Sequence, residues 1–223
     1  MTSDKRGAAV GDRLIDAATT LLRRTGPSAI TARGVAAEAG MSSMVVYSHF
    51  GGLPELVRAV ADRGFVSLRR AFEDLPTTTD SLSDMFRMAL ATHDFAQDNP
   101  HLYDLMFGLS TRATYRPPSV DVLAPVSQSA AFGQLYAALM GASGRLVESG
   151  QVANAEPDLV GAALWSMVHG FISLDLAGSF AHVKDPVNDV LLTMATTFSV
   201  GMGADPISSR ASHERCLREW RCS

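Results

Sequence analysis

Cysteine is scarce in this chain: Cys216 and Cys222 are the only two in 223 residues, and both fall in the last eight. With 47% hydrophobic residues the chain can build a core, so a disulfide-stapled scaffold is excluded. The cysteine spacing fits no metal motif and only His213 lies near, so a frayed tail from Asp205 carrying free thiols is expected. Long apolar runs are missing too. The longest uncharged stretch, Val122 to Gly144, is interrupted by Pro125, Gln128 and Gln134, which makes it a poor membrane span. The opening "MTSDKRGAAVGDR" has charges but no apolar signal core. A cytoplasmic protein with no membrane partner is expected. Enzymatic signatures are absent as well: no Ser-His-Asp order, no glycine-rich phosphate loop and no metal-spaced His/Glu cluster appears. The expectation is a non-enzyme with no cofactor and no metal.

What is present is unevenly placed. Residues 1–70 carry a net charge of +4 and residues 71–223 a net charge of −8, within a total of −4. A basic head on an acidic body points to an anionic partner for the head alone.

The apolar periodicity predicts helix throughout, since residues recur at three- and four-residue spacing and no alternating β-branched run occurs. The pattern predicts about nine helices. The first spans about Gly11 to Thr25 and is stopped by Gly26-Pro27. The second spans about Thr31 to Ala39 with Thr31 as N-cap, and the third about Ser43 to Phe50 with Ser42 as N-cap. A fourth starts near Leu53-Pro54 and runs to about Glu73. Later helices are expected over about Ser81–Gln97, from Asn99-Pro100, over about Val120–Ser149, from Glu156-Pro157 to about Gly178, and from Asp185-Pro186 to about Met202. "STRATYRPPS" reads as a loop. The division is a first domain at 1–52, a second at 53–204 and a tail at 205–223.

The stretch "VAAEAGMSSMVVYSHF", Val35 to Phe50, carries the functional signal. Gly40 sits where a helix end favours φ > 0, and Ala36 is small enough to let the next helix approach. Val35, Ala39, Met41 and Val46 form the small core between the two helices. This is helix-turn-helix grammar, although two bundle helices can also join through a glycine. A helix about 10–12 Å across fits a major groove about 12 Å wide. The outward residues of the third helix, Ser43, Met44, Tyr47, Ser48 and His49, are small, polar or aromatic rather than a Glu/Lys solvated face.

"RLIDAATTLLRRTGPSAITARGVAAEAGMSSMVVYSHFGGLPELVRAV", Arg13 to Val60, resembles the DNA-binding domain of the TetR family of bacterial transcriptional regulators. "LWSMVHGFISLDLAG", Leu164 to Gly178, resembles the Trp…His-Gly segment of a ligand-binding C-terminal domain in many members. The resemblance implies an all-α protein: an N-terminal three-helix helix-turn-helix domain followed by a C-terminal helical bundle. It implies a homodimer on a palindromic double-stranded DNA operator, usually repressing, and released by a small molecule. DNA-contacting roles carry over to Thr31 and Arg33 at the second helix, to Ser42, Ser43 and Met44 at the head of the third, and to Tyr47 and His49 facing phosphates. Phe50 matches as core. The chain departs from the pattern where many members have Lys near Ser43 and Leu53, and Gly near Met44. Fewer phosphate contacts imply a shallower salt dependence.

The last two long helices carry small residues, among them Gly161, Ala162, Ala163, Gly170, Ala195 and Gly201. The resemblance implies that these helices form the dimer interface; packing within one chain is the alternative reading of the same residues. Met85, Met88, Tyr103, Met106, Phe107, Tyr136, Met140, Trp165 and His169 are candidate contacts for a small apolar effector, or else plain core. Two functions from different classes follow. One is a ligand-responsive homodimeric regulator, a repressor by resemblance. The other is a helical small-molecule-binding or scaffold protein whose helix-turn-helix no longer binds DNA.

Overall fold

A computed structural model describes residues 2–107, 129–153 and 156–222. The described residues are 81% helical, with no strand among them. The helices are α1 (Thr2–Thr25), α2 (Ala32–Glu38), α3 (Ser43–Phe50), α4 (Leu53–Glu73), α5 (Ser81–Asp98) and α6 (Pro100–Phe107). They continue as α7 (Ala130–Glu148), α8 (Pro157–Leu176), α9 (Leu192–Gly201) and α10 (Pro206–Cys222). A short 3-10 turn, Pro27–Ala29, precedes α2, and a π-helical segment, Val187–Leu191, leads into α9. The expected loop "STRATYRPPS" and the first part of the helix expected from Val120 lie outside the described residues.

The described residues hold ten α-helices rather than nine, and the extra one corrects the expected frayed tail. Asp205 caps α10 by accepting the Ser208 N–H at 2.8 Å, and Pro206 fills the first turn. Cys216 is fully buried there, not a loose thiol, while Cys222 is exposed; both are free. The first helix also starts earlier than Gly11, running unbroken through Gly7 and Gly11. Ser42 stands at the N-cap of α3 in extended conformation, but its hydroxyl makes no capping bond.

The chain divides into two compact units. The first comprises Met1–Ser67 and Asp98–Phe132, and the second Leu68–Gln97 and Gly133–Ser223, so α4 contributes to both. In the first unit, α1, α2, α3 and the start of α4 close on Leu14, Ala18, Leu22, Val35, Ala36, Val46, Leu56 and Val60. Each fully buried leucine there contributes about 1.5–3 kcal/mol relative to exposure. Leu105 of α6 joins this core. Phe65 meets Phe107 and Phe132 edge-on, at 5.6 and 5.2 Å between ring centroids.

The second unit packs α5, α7 and α8 around Leu82, Met85, Met88, Leu139, Leu146 and Val160. Its α10 lies along α9 and is fastened to α5 by side chains. Ser212 donates to Asp80 Oδ2 at 2.6 Å, and Arg215 reaches the same oxygen. Arg87 pairs with Glu219 at 2.7 Å, and the Trp220 indole donates to Asp94 at 2.8 Å. Burial disfavours the Asp80 carboxylate, but its bonds from Ser212, the Ser83 N–H and Gln151, with Arg215 nearby, outweigh this and hold its pKa below the usual range.

Candidate nucleic-acid interface and ligand cavity

The α2–α3 corner is built by local backbone chemistry. Gly40 has φ +65°, and its N–H bonds to the Ala37 carbonyl at 3.0 Å while Met41 N–H bonds to Ala36 at 2.8 Å. This pair of bonds is a Schellman stop, which needs a residue in left-handed conformation. Thr31 caps α2, its hydroxyl accepting the Gly34 N–H at 3.0 Å. Gly34 is bare for a reason: a Cβ there would lie 2.9 Å from the Ala29 carbonyl oxygen. Arg13 of α1 donates to the Ala39 carbonyl at 2.9 Å, tying the corner to the first helix.

This scaffold presents one outward face. Ser42, Ser43, Met44, Tyr47 and His49 are all exposed, Met44 by 69% and Tyr47 by 53%. Arg33 and Thr31 are exposed on α2, and Arg33 enters no ion pair among the described residues. Met44 and Tyr47 stand three positions apart on α3, so the two exposed side chains share one face of the helix. The His49 ring touches Phe50 edge-on at 5.1 Å and rests over Gly11, where a Cβ would lie 2.5 Å from Nε2. Gly11 was not a candidate residue. Its signal in the sequence is a glycine inside a helix, where it costs about 1 kcal/mol relative to alanine and so invites a packing reason.

The second unit contains a cavity. The space between its walls, with the mouth and the solvent in it, is about 620 Å³. Of the sequence candidates, the structure brings Met85, Met88, Trp165 and His169 into its wall. Tyr136 stands behind Trp165, edge-on at 5.8 Å, and Met140 lies against Gly161 of α8. Tyr103, Met106 and Phe107 belong to the first unit, where Tyr103 and Met106 are fully buried. The wall also takes Phe72, Phe86, Met167, Met202, Thr92, Ser199 and His213, which were not among the candidates.

The cavity is electrically neutral. No Asp, Glu, Lys or Arg lines it among the described residues. The Thr92 and Ser199 hydroxyls donate back to Met88 and Ala195 carbonyls in their own helices, at 2.7 and 2.8 Å. Burial pushes the His169 pKa down to about 3 and that of His213 down to about 4, so both rings are uncharged at pH 7. The Trp165 and His169 rings lie 4.1 Å apart, as their spacing on one helix face requires.

Small residues in α8 and α9 divide by position. Gly161 serves packing within the chain, since a Cβ would strike Met140 Cε at 2.1 Å. Gly170 and Gly201 face open space, as do Leu159, at 66% exposure, and Leu174, at 50%. α8 is the one helix among the described residues long and apolar enough to cross a membrane by length and composition.

Residues 14–60 match the family described as bacterial regulatory proteins, tetR family, and residues 85–198 match the tetracyclin repressor-like C-terminal domain. The chain belongs to the TetR family. As a TetR-family protein it is a transcriptional regulator with a DNA-binding helix-turn-helix, and not an enzyme. No curated protein matches the chain. Solved structures share the fold across most of its length. One is a protein of unknown function from Rhodococcus sp. RHA1, 22% identical, covering 86% of this chain and 95% of its own, with TM-score 0.68. RolR in complex with resorcinol is 16% identical, covers 95% and 96%, and has TM-score 0.66. A tetR-family regulatory protein from Rhodococcus RHA1 is 16% identical, covers 88% and 98%, and has TM-score 0.57. At these identities the likeness is one of fold.

Proposed function

We propose that this TetR-family regulator is a cytoplasmic homodimeric repressor, that it binds a palindromic operator through α3, and that a small neutral effector in the second-unit cavity releases it. The observation that carries the DNA reading is the exposed Ser43–Met44–Tyr47 face, flanked by Arg33 and Thr31 and rigidly supported by the Gly40 stop. Ser43 and Met44 enter the major groove, where Met44 suits a thymine methyl; Arg33, Tyr47 and His49 meet phosphates. The dimer reading rests on the outer face of α8 and α9, where Leu159, Leu174, Gly170 and Gly201 remain uncovered in one chain. A symmetric pair places two recognition helices one DNA turn apart, about 34 Å. The cavity supports an apolar effector. RolR, of the same fold, has been solved with a small hydroxylated aromatic, resorcinol.

A gel shift with fragments flanking the gene tests the DNA reading. Salt-sensitive binding abolished by Arg33→Ala combined with Tyr47→Ala supports it. No binding to any fragment at about 50 mM salt would favour a helical ligand-binding protein that has lost DNA recognition, a reading the missing lysines keep open.

A further inference from the structure

The cavity wall includes a side chain from outside the matched family domain. That domain ends at residue 198, whereas α10 begins at Pro206. His213 of α10 lines the cavity and is 2% exposed. Its Nδ1 meets Thr196 Oγ1 of α9 at 3.0 Å, and its ring leans on Phe86 with centroids 5.0 Å apart. With Nδ1 engaged, Nε2 is the nitrogen that remains for a cavity occupant. The ring is also firmly positioned: its chain neighbour Ser212 and nearby Arg215 both bind Asp80, and Cys216 Sγ lies 3.5 Å from the Ser83 carbonyl.

The wall's other polar side chains are Thr92, Ser199, Trp165 and His169, the last two with their rings against each other at 4.1 Å. Thr92 and Ser199 spend their hydroxyl protons on their own helices, so toward the cavity they only accept. A charged ligand finds no counter-ion in the wall and would be stranded. An imidazole held through one nitrogen, with the other open, can fix the orientation of a ligand's polar atom in a largely apolar site. We propose that α10 supplies a specificity-determining residue: His213 Nε2 hydrogen-bonds the one hydroxyl or carbonyl group of a neutral, otherwise apolar effector. This rests on the cavity being the effector site.

A matched pair of probes tests it, 4-propylphenol and propylbenzene, titrated calorimetrically into the full-length protein. The wild type is expected to prefer the phenol by about tenfold, the worth of one net hydrogen bond. His213→Phe is expected to bind both probes equally, and His213→Gln, which keeps a side-chain donor and acceptor, to restore part of the preference. A phenol preference surviving in His213→Phe overturns the assignment of His213 while leaving the cavity reading intact. If neither probe binds the wild type, the cavity reading fails and the assignment falls with it. Should His213→Phe not fold, imidazole ¹⁵N spectra of the wild type decide. The His213 Nε2 resonance is expected to move with the phenol and not with propylbenzene, and a resonance indifferent to the phenol overturns the proposal.

Discussion

The imidazole of His49 rests on the bare backbone of Gly11, thirty-eight positions earlier in the chain, at a distance that leaves no room for a methyl group. The long first helix is thereby made a backstop for the end of the recognition helix. Because the obstructed atoms are the tip of a side chain and not backbone, Gly11→Ala should leave the fold intact. Helix propensity should even add up to about 1 kcal/mol of stability. DNA binding should weaken several-fold as His49 turns away from the phosphate contact proposed for it. Thermal unfolding and fluorescence anisotropy on the same preparation check both halves.

Gly34→Ala should do the reverse of what helix propensity dictates. In most helix interiors the change stabilises by about 0.5–1 kcal/mol. Here the new methyl meets the Ala29 carbonyl oxygen, a backbone atom, so the turn before α2 must shift. A loss of about 1–3 kcal/mol is expected, read as a lower Tm.

Leu174→Glu places a charge on the uncovered face of α8 without touching the chain's own core. Sedimentation should show a monomer for the variant and a dimer for the wild type, with operator affinity lost alongside. A variant that stays dimeric would move the interface elsewhere.

Histidine protonation sets an acid limit. Burial lowers the folded pKa of His169 to about 3 and of His213 to about 4, below the ordinary 6.5. The unfolded chain therefore binds protons that the folded chain refuses, and stability falls as pH drops from about 6.5 toward 4, by up to roughly 1.4 kcal/mol per pH unit for each ring. His93 acts in the opposite sense. Burial disfavours its charge, but bonds to Asp94 and Asp175 outweigh burial and raise its pKa, so its contribution is present below 6.5 and lost as pH rises through the raised value. His213→Gln should flatten the fall in Tm between pH 6.5 and 5, and His93→Gln should remove a loss of Tm that the wild type shows as pH rises above 6.5.

Much of the first unit was legible because its rules are local. The Gly40 stop, the Thr31 cap and the apolar spacing around Val35 and Val46 each act within a few residues, and the structure repeats them. The last helix was not legible from its apolar pattern. It is charge-rich and held by distant partners, Asp80, Arg87 and Asp94. One local signal was nevertheless available: Asp205-Pro206 repeats the Asp185-Pro186 helix start. Among the cavity candidates, composition could not separate Met85 from Met106. Both are buried methionines on helices, and only topology sends one to each unit.

Hydroxyl-radical footprinting of the protein on DNA flanking its gene tests the central claim most directly. Two protected patches about 34 Å apart on one face of the duplex, both erased by Arg33→Ala with Tyr47→Ala, are the predicted result. A footprint unchanged in that double variant would contradict entry of α3 into the groove.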